Sequence, residues 1–526
     1  MNPNEDMAMT HRNWSYLGDH ARAHPDRVAV INGTTHAAIT YAELEQRSNR
    51  LAQYLHHLGL RPGDHIAMVL ENNMRCFEIG WAALRSGLQL TPVNRFLTAD
   101  EAAYIIADSG SKAVISSFAM RELAEGLGTH MPGCPVRLMV DGTIEGWEAY
   151  EDTVARFPAA PLAEEVLGAL MLYSSGTTGR PKGIVRVQRS HDVRDYIDQF
   201  RRAQISGYGF FDGMVYLSTA PLYHSAPMAW ALQMAAVGGT CVFMEKFDPD
   251  AALGLIERYR VTHSQWVPTM FVRLLKLPEA QRRAFDLSSM GFAVHGAAPC
   301  PQEVKRAMID WWGPILHEYY GATEGCGLTL IDSAESLTHP GSVGRAALGV
   351  LHICDDDGRE LPPGESGLIY FERDDVPFHY HNDPGKTREA QHPRHPTWTA
   401  VGDMGYVDGE GYLHLTDRKT FMIISGGVNI YPQAIEDALV THPKVQDAGV
   451  IGVPDPEMGE SVKAVVEPAP GVMPSAELAG ELIAYLRGKV ARYMIPKSVE
   501  FIDRMPRLPT GKLYKQALRD AFGGQR

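Results

Sequence analysis

Tyr173-Ser174-Ser175-Gly176-Thr177-Thr178-Gly179-Arg180-Pro181-Lys182-Gly183 is the stretch on which the reading of this chain turns. It follows the apolar run Val166-Leu167-Gly168-Ala169-Leu170-Met171-Leu172, which predicts a buried strand opening into a loop of hydroxyls and backbone N–H donors. Gly176, Gly179 and Gly183 let the backbone take φ > 0 and come close to a ligand. Successive N–H groups in such a loop form a concave anion site, and Lys182 adds a full positive charge. Phosphate is the natural guest. A Ser/Thr/Gly cluster alone reads equally well as a solvated turn. The P-loop of nucleotide triphosphatases needs GxxxxGK[ST], whereas Lys182 follows Pro181 and precedes a glycine. The later Gly385-Lys386-Thr387 has Tyr380 where that motif needs its first glycine, so it does not match either.

With 526 residues the chain has length for more than one domain, and 45% hydrophobic with 21% charged residues is an ordinary globular composition. A net charge of −14 leaves no basic field for nucleic acid. The six cysteines (Cys76, Cys134, Cys241, Cys300, Cys326, Cys354) are scattered without a CxxC pair, which fits a reducing compartment and neither a zinc site nor a disulfide framework. The first residues, Met1 to Asp6, are polar and acidic, unlike a signal peptide. The most apolar segment, Met228 to Met244, falls short of a span of about 20 residues and is broken by Gln233 and Gly238-Gly239. It predicts a core helix followed by a strand. The expectation is a cytoplasmic protein with no transmembrane segment.

From Arg27 to Ser116 short apolar strands alternate with helices. Thr40 is placed to cap a helix whose Leu44, Leu51, Leu55 and Leu58 share a face, and Gly59 and Pro62 stop it. Such alternation predicts layered α/β sheets, and it recurs from 166 to 320. Between about 341 and 416, short strands punctuated by Asp357-Gly358, Pro363-Gly364, Asp383-Pro384-Gly385 and Asp408-Gly409 predict a β-rich subdomain. An α+β pattern follows from 418. The expected division is a large N-terminal domain, 1–417, and a small mobile C-terminal domain, 418–526, with a hinge near Thr420.

The Tyr173–Gly183 string resembles the phosphate-binding loop of the adenylate-forming superfamily, which includes acyl-CoA synthetases, luciferases and peptide-synthetase adenylation domains. Six further stretches fall in that superfamily's order, so the resemblance covers roughly residues 25 to 520. It implies that Ser174, Ser175, Gly176, Thr177, Thr178, Gly179 and Lys182 hold the phosphates of ATP. Gly296, Ala297, Ala298 and Pro299, after the strand ending at His295, are implied to pack on adenine. Within His317-Glu318-Tyr319-Tyr320-Gly321-Ala322-Thr323-Glu324, the resemblance implies that Glu318, Tyr319, Tyr320, Gly321 and Thr323 contact the nucleotide and that Glu324 ligates Mg²⁺. Asp403, whose carboxylate can accept from both ribose hydroxyls, and Arg418 complete the nucleotide set. Lys512, in Pro506-Arg507-Leu508-Pro509-Thr510-Gly511-Lys512, is implied to act in adenylation with Thr178, Glu324 and His224.

Ser425-Gly426-Gly427 is implied to line the coenzyme A tunnel. Tyr223, His224, Trp266, Thr269, His295 and Gly296 outline an expected acyl pocket, largely apolar or aromatic, which favours a medium or long acyl chain or a ring-bearing acid over acetate. Thr420 and Phe421 depart from the family pattern, which carries Asp or Lys at the hinge position and frequently Asp after it. The resemblance implies an AMP-forming acyl-CoA synthetase of the fatty-acyl or aryl branch, using ATP, Mg²⁺ and coenzyme A. The alternatives are transfer of the acyl group to a carrier protein or other acceptor, a phosphotransferase releasing ADP, and a non-catalytic nucleotide-binding relative. A homodimer is compatible with the sequence. A lysine acetylase and deacetylase acting at Lys512 would remove and restore its charge.

Overall fold

The computed structural model describes residues 16–128, 131, 133–174, 181–197, 199–418, 421–425, 428–507 and 512–523. The strands that carry the site, numbered along the chain, are β1 (Gly183–Arg186), β2 (Val215–Ser218), β3 (His263–Trp266), β4 (Phe292–His295), β5 (Leu316–Gly321), β6 (Phe378–Tyr380), β7 (Asp403–Val407) and β8 (Leu413–Arg418). The helices used below are α1 (Ser225–Val237), α2 (Pro268–Leu275), α3 (Gln302–Trp312), α4 (Pro432–Val440), α5 (Ala476–Leu486) and α6 (Lys515–Phe522).

A nine-stranded sheet runs β5-β4-β3-β2 and on through Thr240–Phe243 and Val28–Asn32, all parallel. Antiparallel strands close both of its edges. A six-stranded sheet, wholly parallel, is built from residues 65–170. The largest core cluster lies between the two: Ile66, Leu90 and Ile115 from the second sheet and Tyr216, Cys241 and Val294 from the first pack with buried residues of the intervening helices. Parallel sheets buried on both faces need helical crossovers, which the alternating sequence supplies.

Local chemistry sets the ends of these helices. Thr40 opens the helix Tyr41–His57 with a capping box: its hydroxyl accepts from the Glu43 N–H, and the Glu43 carboxylate accepts from the Thr40 N–H at 2.8 Å. The segment Met228–Met244 resolves as expected, with α1 ending at Gly238 (φ +82°) and the strand Thr240–Phe243 following. Among the described residues no helix is long and apolar enough to cross a membrane.

After β5 the chain turns β-rich. β6, β1 and Leu172–Tyr173 form a three-stranded antiparallel sheet. β7 and β8 belong to a five-stranded sheet with 350–354, 367–372 and 398–399. The change of sheet near the expected hinge falls between Arg418 and Ile423, with Thr420 outside the described residues. From Ile423 onward the strands form a separate five-stranded sheet, with α4 and α5 on one face and α6 on the other. Lys276, at the end of α2, donates to the Val445 carbonyl (3.0 Å) and Gln446 (3.2 Å), and Lys489 pairs with Glu303 (3.2 Å), so the small unit rests on α2 and α3.

One buried charge ties the helix Arg75–Arg85 to the helix Tyr41–His57 and to the loop at Glu165. Arg85 is fully buried, with Glu45 at 2.6 Å, Glu165 at 3.1 Å and the Asn49 carbonyl oxygen as partners. Burial raises the Glu165 carboxyl pKa, and Arg85 is the charge that opposes this. Replacing Arg85 by Met leaves two partly buried carboxylates without their cation, so Arg85→Met is expected to destabilise the fold by about 2–3 kcal/mol, below the full cost for a wholly buried pair. Urea midpoints at neutral pH measure this; a loss under about 1 kcal/mol would mean that water reaches both carboxylates.

Candidate active site

Because β2 to β5 are parallel, the loops after Ser218, Trp266, His295 and Gly321 all leave one edge of the sheet. That edge gathers the motifs. Side chains along β5 alternate, and the alternation divides two adjacent tyrosines. Tyr320 faces the β-rich part, where its hydroxyl donates to Asp403 Oδ2 at 2.9 Å. Asp403 is the direct partner of Arg418 across β7 and β8. Three residues expected at the nucleotide thus come together from separate parts of the sequence. Beside them a small cleft is lined by Tyr320, Gly321, Ala322, Thr399, Ala400 and Val401.

The stretch expected to bind phosphate leaves and rejoins the described structure at the mouth of the three-stranded sheet. Ser174 N–H donates to the Lys182 carbonyl (2.9 Å) and Lys182 N–H to the Ser174 hydroxyl (3.2 Å), fixing both ends of the expected loop. Ser175, Gly176, Thr177, Thr178 and Gly179 lie outside the described residues. Glu324 is buried, and its Oε1 accepts from the Tyr380 hydroxyl at 2.9 Å. Arg186, from β1, donates to the Thr323 carbonyl at 2.8 Å and holds the turn that presents both residues. Gly325 completes that turn at φ +75°, a conformation that favours glycine.

Glu324 Oε2 has no hydrogen bond among the described residues, and no cluster of three metal-ligating side chains occurs among them. One free carboxylate oxygen suits Mg²⁺, which keeps water and substrate phosphates as its other ligands.

On the opposite face of β5, Tyr319 turns away from Tyr320. Its hydroxyl is 3.5 Å from Gln265 Nε2, and Gln265 Oε1 accepts from Tyr216 at 3.2 Å, a buried relay across β5, β3 and β2. A Cβ on Gly296 would come within 2.7 Å of the Tyr319 ring, so glycine is required there. Ala297 next to it has φ +68°, and Ala298 and Pro299 carry the loop on to α3. Tyr319 was expected at the nucleotide. It lies on the α1 side, against Gly296, because adjacent strand residues cannot share a face.

Tyr223 and His224 open α1 with ring centroids 4.4 Å apart, and both the Tyr223 hydroxyl and His224 Nε2 are buried without a hydrogen bond. Burial pushes the His224 imidazole down to about 3, so it is neutral at physiological pH. Of the other expected pocket residues, Thr269 is half-buried in the first turn of α2. Trp266 and His295 are corrections. They are paired across β3 and β4 and point to the face covered by α2 and α3, where Trp266 contacts Phe271 and Trp312 and His295 contacts Phe271. Trp266 belongs to a packed core, not to a pocket wall. Glu318 is a third correction: its buried carboxylate pairs with Lys305 of α3 beneath the sheet.

In the small unit, Ser425 is buried and pairs with Val428, while Gly426 and Gly427 lie outside the described residues. Lys512 precedes Leu513, which packs beside Met505 and Leu518 on the α6 face.

Residues 17–380 match the AMP-binding enzyme family and residues 434–512 its C-terminal domain, so the chain belongs to the AMP-binding enzymes. It is 35% identical over 506 residues to a feruloyl-CoA synthase of an Amycolatopsis species, covering 96% of this chain and 97% of that one. It is 33% identical over 523 residues to a fatty acid–[acyl-carrier-protein] ligase of Streptomyces coeruleorubidus, covering 96% and 95%. Its fold is similar to that of the o-succinylbenzoate CoA synthetase of Bacillus subtilis in complex with its acyl-adenylate, with a TM-score of 0.80 and 26% identity over 98% of this chain and 99% of that one.

His224 bears on pH. A neutral imidazole with its ordinary pKa pushed down to about 3 adds no protonation limb to kcat/KM between pH 5 and 8. His224→Gln is expected to lower kcat/KM by about 2- to 10-fold, the range of one neutral hydrogen bond, without changing the shape of the profile. A limb near pH 6.5 in the native enzyme that vanishes in the variant would mean that His224 titrates there.

Proposed function

We propose that this chain is an ATP-dependent carboxylate–CoA ligase that works through an acyl-AMP intermediate. The observation that carries the reading is the convergence, at one sheet edge, of the Tyr320–Asp403 pair, the Lys182 and Glu324 charges, and the neutral Tyr223–His224 pair. In the first step a carboxylate oxygen of the acid attacks the α-phosphorus of ATP, the bond to the β-phosphate oxygen breaks, and pyrophosphate leaves. The attack brings like charges together: two unit charges 4 Å apart interact by about 4 kcal/mol at an effective dielectric of 20. Lys182 and Lys512 offset this repulsion, and Mg²⁺ on Glu324 supplies further positive charge when bound. Asp403 and Arg418 hold the ribose. In the second step the sulfur of coenzyme A attacks the acyl carbon, AMP leaves, and the thiol proton goes to solvent. The small unit turns about Thr420 between the steps, exchanging Lys512 for the Ser425–Gly427 segment.

The acid we assign is bulky and ring-bearing, with an oxygen on its body. Tyr319, Gln265 and Tyr216 place a polar relay behind Gly296 on the α1 side, and the Tyr223 hydroxyl lies buried without a partner. An alkyl chain leaves the Tyr223 hydroxyl unsatisfied, whereas a ring oxygen within its reach satisfies it. The feruloyl-CoA synthase relative is named for an acid of this kind. The carrier-protein ligase relative keeps transfer to a carrier as the second reading.

Product analysis with ATP, Mg²⁺ and a panel of acids, with and without coenzyme A, is the direct test. AMP, pyrophosphate and a CoA thioester are expected, with ring-oxygenated aryl acids ahead of their unsubstituted and alkyl counterparts. Acyl-AMP indifferent to CoA would move the reading to a carrier, and ADP would overturn it. Lys512→Ala is expected to lose on the order of 10²–10³ in adenylation yet still convert supplied acyl-AMP to thioester. Equal loss in both half-reactions would remove Lys512 from its role. Acetylation of Lys512 acts in the same direction, because it cancels the same charge.

A further inference from the structure

Lys182 and Glu324 present a design problem. Both are placed at the phosphate mouth, and with no substrate present opposite charges on partly buried groups attract strongly. A direct Lys182–Glu324 pair would occupy the ammonium meant for phosphate and the carboxylate meant for a metal. Among the described residues no such pair forms. Tyr380 contacts both: its hydroxyl donates to Glu324 Oε1 at 2.9 Å, and Lys182 Nζ sits 5.4 Å from the centroid of its ring.

The placement of Tyr380 is built into the backbone. β6 pairs antiparallel with β1, and Tyr380 lies opposite Ile184, two residues beyond Lys182. The Tyr380 N–H donates to the Thr387 hydroxyl at 2.9 Å, and that hydroxyl donates to the Asp383 carbonyl at 3.0 Å. Asp383 in turn caps the helix Pro384–Glu389. The turn after Tyr380 is therefore fixed from both sides, and the ring is held where the two charges converge.

We propose that Tyr380 is a positioning residue for the adenylation step. Its hydroxyl fixes one oxygen of Glu324, so that the other is presented to the divalent cation. Its ring face holds the Lys182 ammonium through a cation–π contact, weak enough for a triphosphate to displace. A charge pair would have to be broken before catalysis, whereas this arrangement only has to be exchanged. The inference rests on the ligase reading for the step it serves, but it is tested on binding alone.

The test uses the full chain as wild type, Tyr380→Phe and Tyr380→Leu, with thermal melts reporting the fold. Mn²⁺ binding to the ATP-loaded enzyme is followed by electron paramagnetic resonance without any acid, so that no turnover occurs. Tyr380→Phe keeps the ring and loses the hydroxyl. It is expected to weaken Mn²⁺ binding by about tenfold, the scale of one hydrogen bond to a charged group, with ATP affinity at saturating Mn²⁺ close to wild type. Tyr380→Leu lets Lys182 and Glu324 pair, and is expected to weaken ATP binding as well, less so at high salt.

Mn²⁺ binding to Tyr380→Phe at wild-type strength would overturn the proposal. So would equal loss in the conversion of supplied acyl-AMP to thioester, because a positioning role in adenylation leaves the second half-reaction intact. If Tyr380→Leu does not fold, Tyr380→Phe alone decides. A wild-type enzyme that binds Mn²⁺ and ATP but activates no acid would refute the ligase reading and leave this comparison valid.

Discussion

The parallel pairing of β2, β3, β4 and β5 is the constraint on which the site depends. Parallel strands send every following loop to the same edge, so segments near residues 220, 267, 296 and 322 become neighbours without any contact between them in sequence. The same strands impose a period of two on their side chains. Trp266, His295 and Glu318 therefore face α2 and α3, while Gln265, Val294 and Tyr319 face α1. Each loop inherits its position from the strand before it, and the strands themselves are divided between structural and chemical faces.

That division explains what was legible in the sequence. Strand and helix order came through clearly because the chain alternates apolar strands with capped helices, as at Thr40 and Gly238. The meeting of Tyr320, Asp403 and Arg418 was implied by family order and is visible in the register of β7 and β8. What failed was the choice of face. Trp266 and His295 stand beside pocket residues along the chain, but a one-residue step on a strand turns a side chain through the sheet. Tyr319 was grouped with Tyr320 as one motif for the same reason, whereas Glu318 shares the face of Tyr320 and is taken by the helix below. The period-two rule, applied outward from Tyr320, would have separated Tyr319 in advance. Lys305 is different in kind: nothing local links it to Glu318, because the partner comes from a helix packed underneath. Tyr380 was met only as a residue that breaks a P-loop pattern; its role depends on β6 pairing with β1 across nearly 200 positions of sequence.

The distribution of charge about the edge follows from the same geometry and bears on how an acid would be held. On the α1 side the groups are neutral: burial keeps His224 uncharged, Tyr223 and Tyr319 hold their protons, and His295 behind the sheet is pushed well below its usual pKa. Arg95 is a positive charge felt at Tyr223, but a carboxylate buried among these neutral groups still meets a desolvation cost that grows steeply away from water. Positive charge is found across β5, at Lys182 beside the phosphate mouth. In the proposed reaction an acid can therefore satisfy both sides only with its body toward Tyr319 and Tyr223 and its carboxylate toward the phosphates. Neutral side chains on one side of β5 and Lys182 on the other favour that orientation in the proposed reaction. A cation set within the group of Tyr319 and His224 would bind the substrate more tightly and hold its charge in the wrong place, stabilising the ground state more than the transition state.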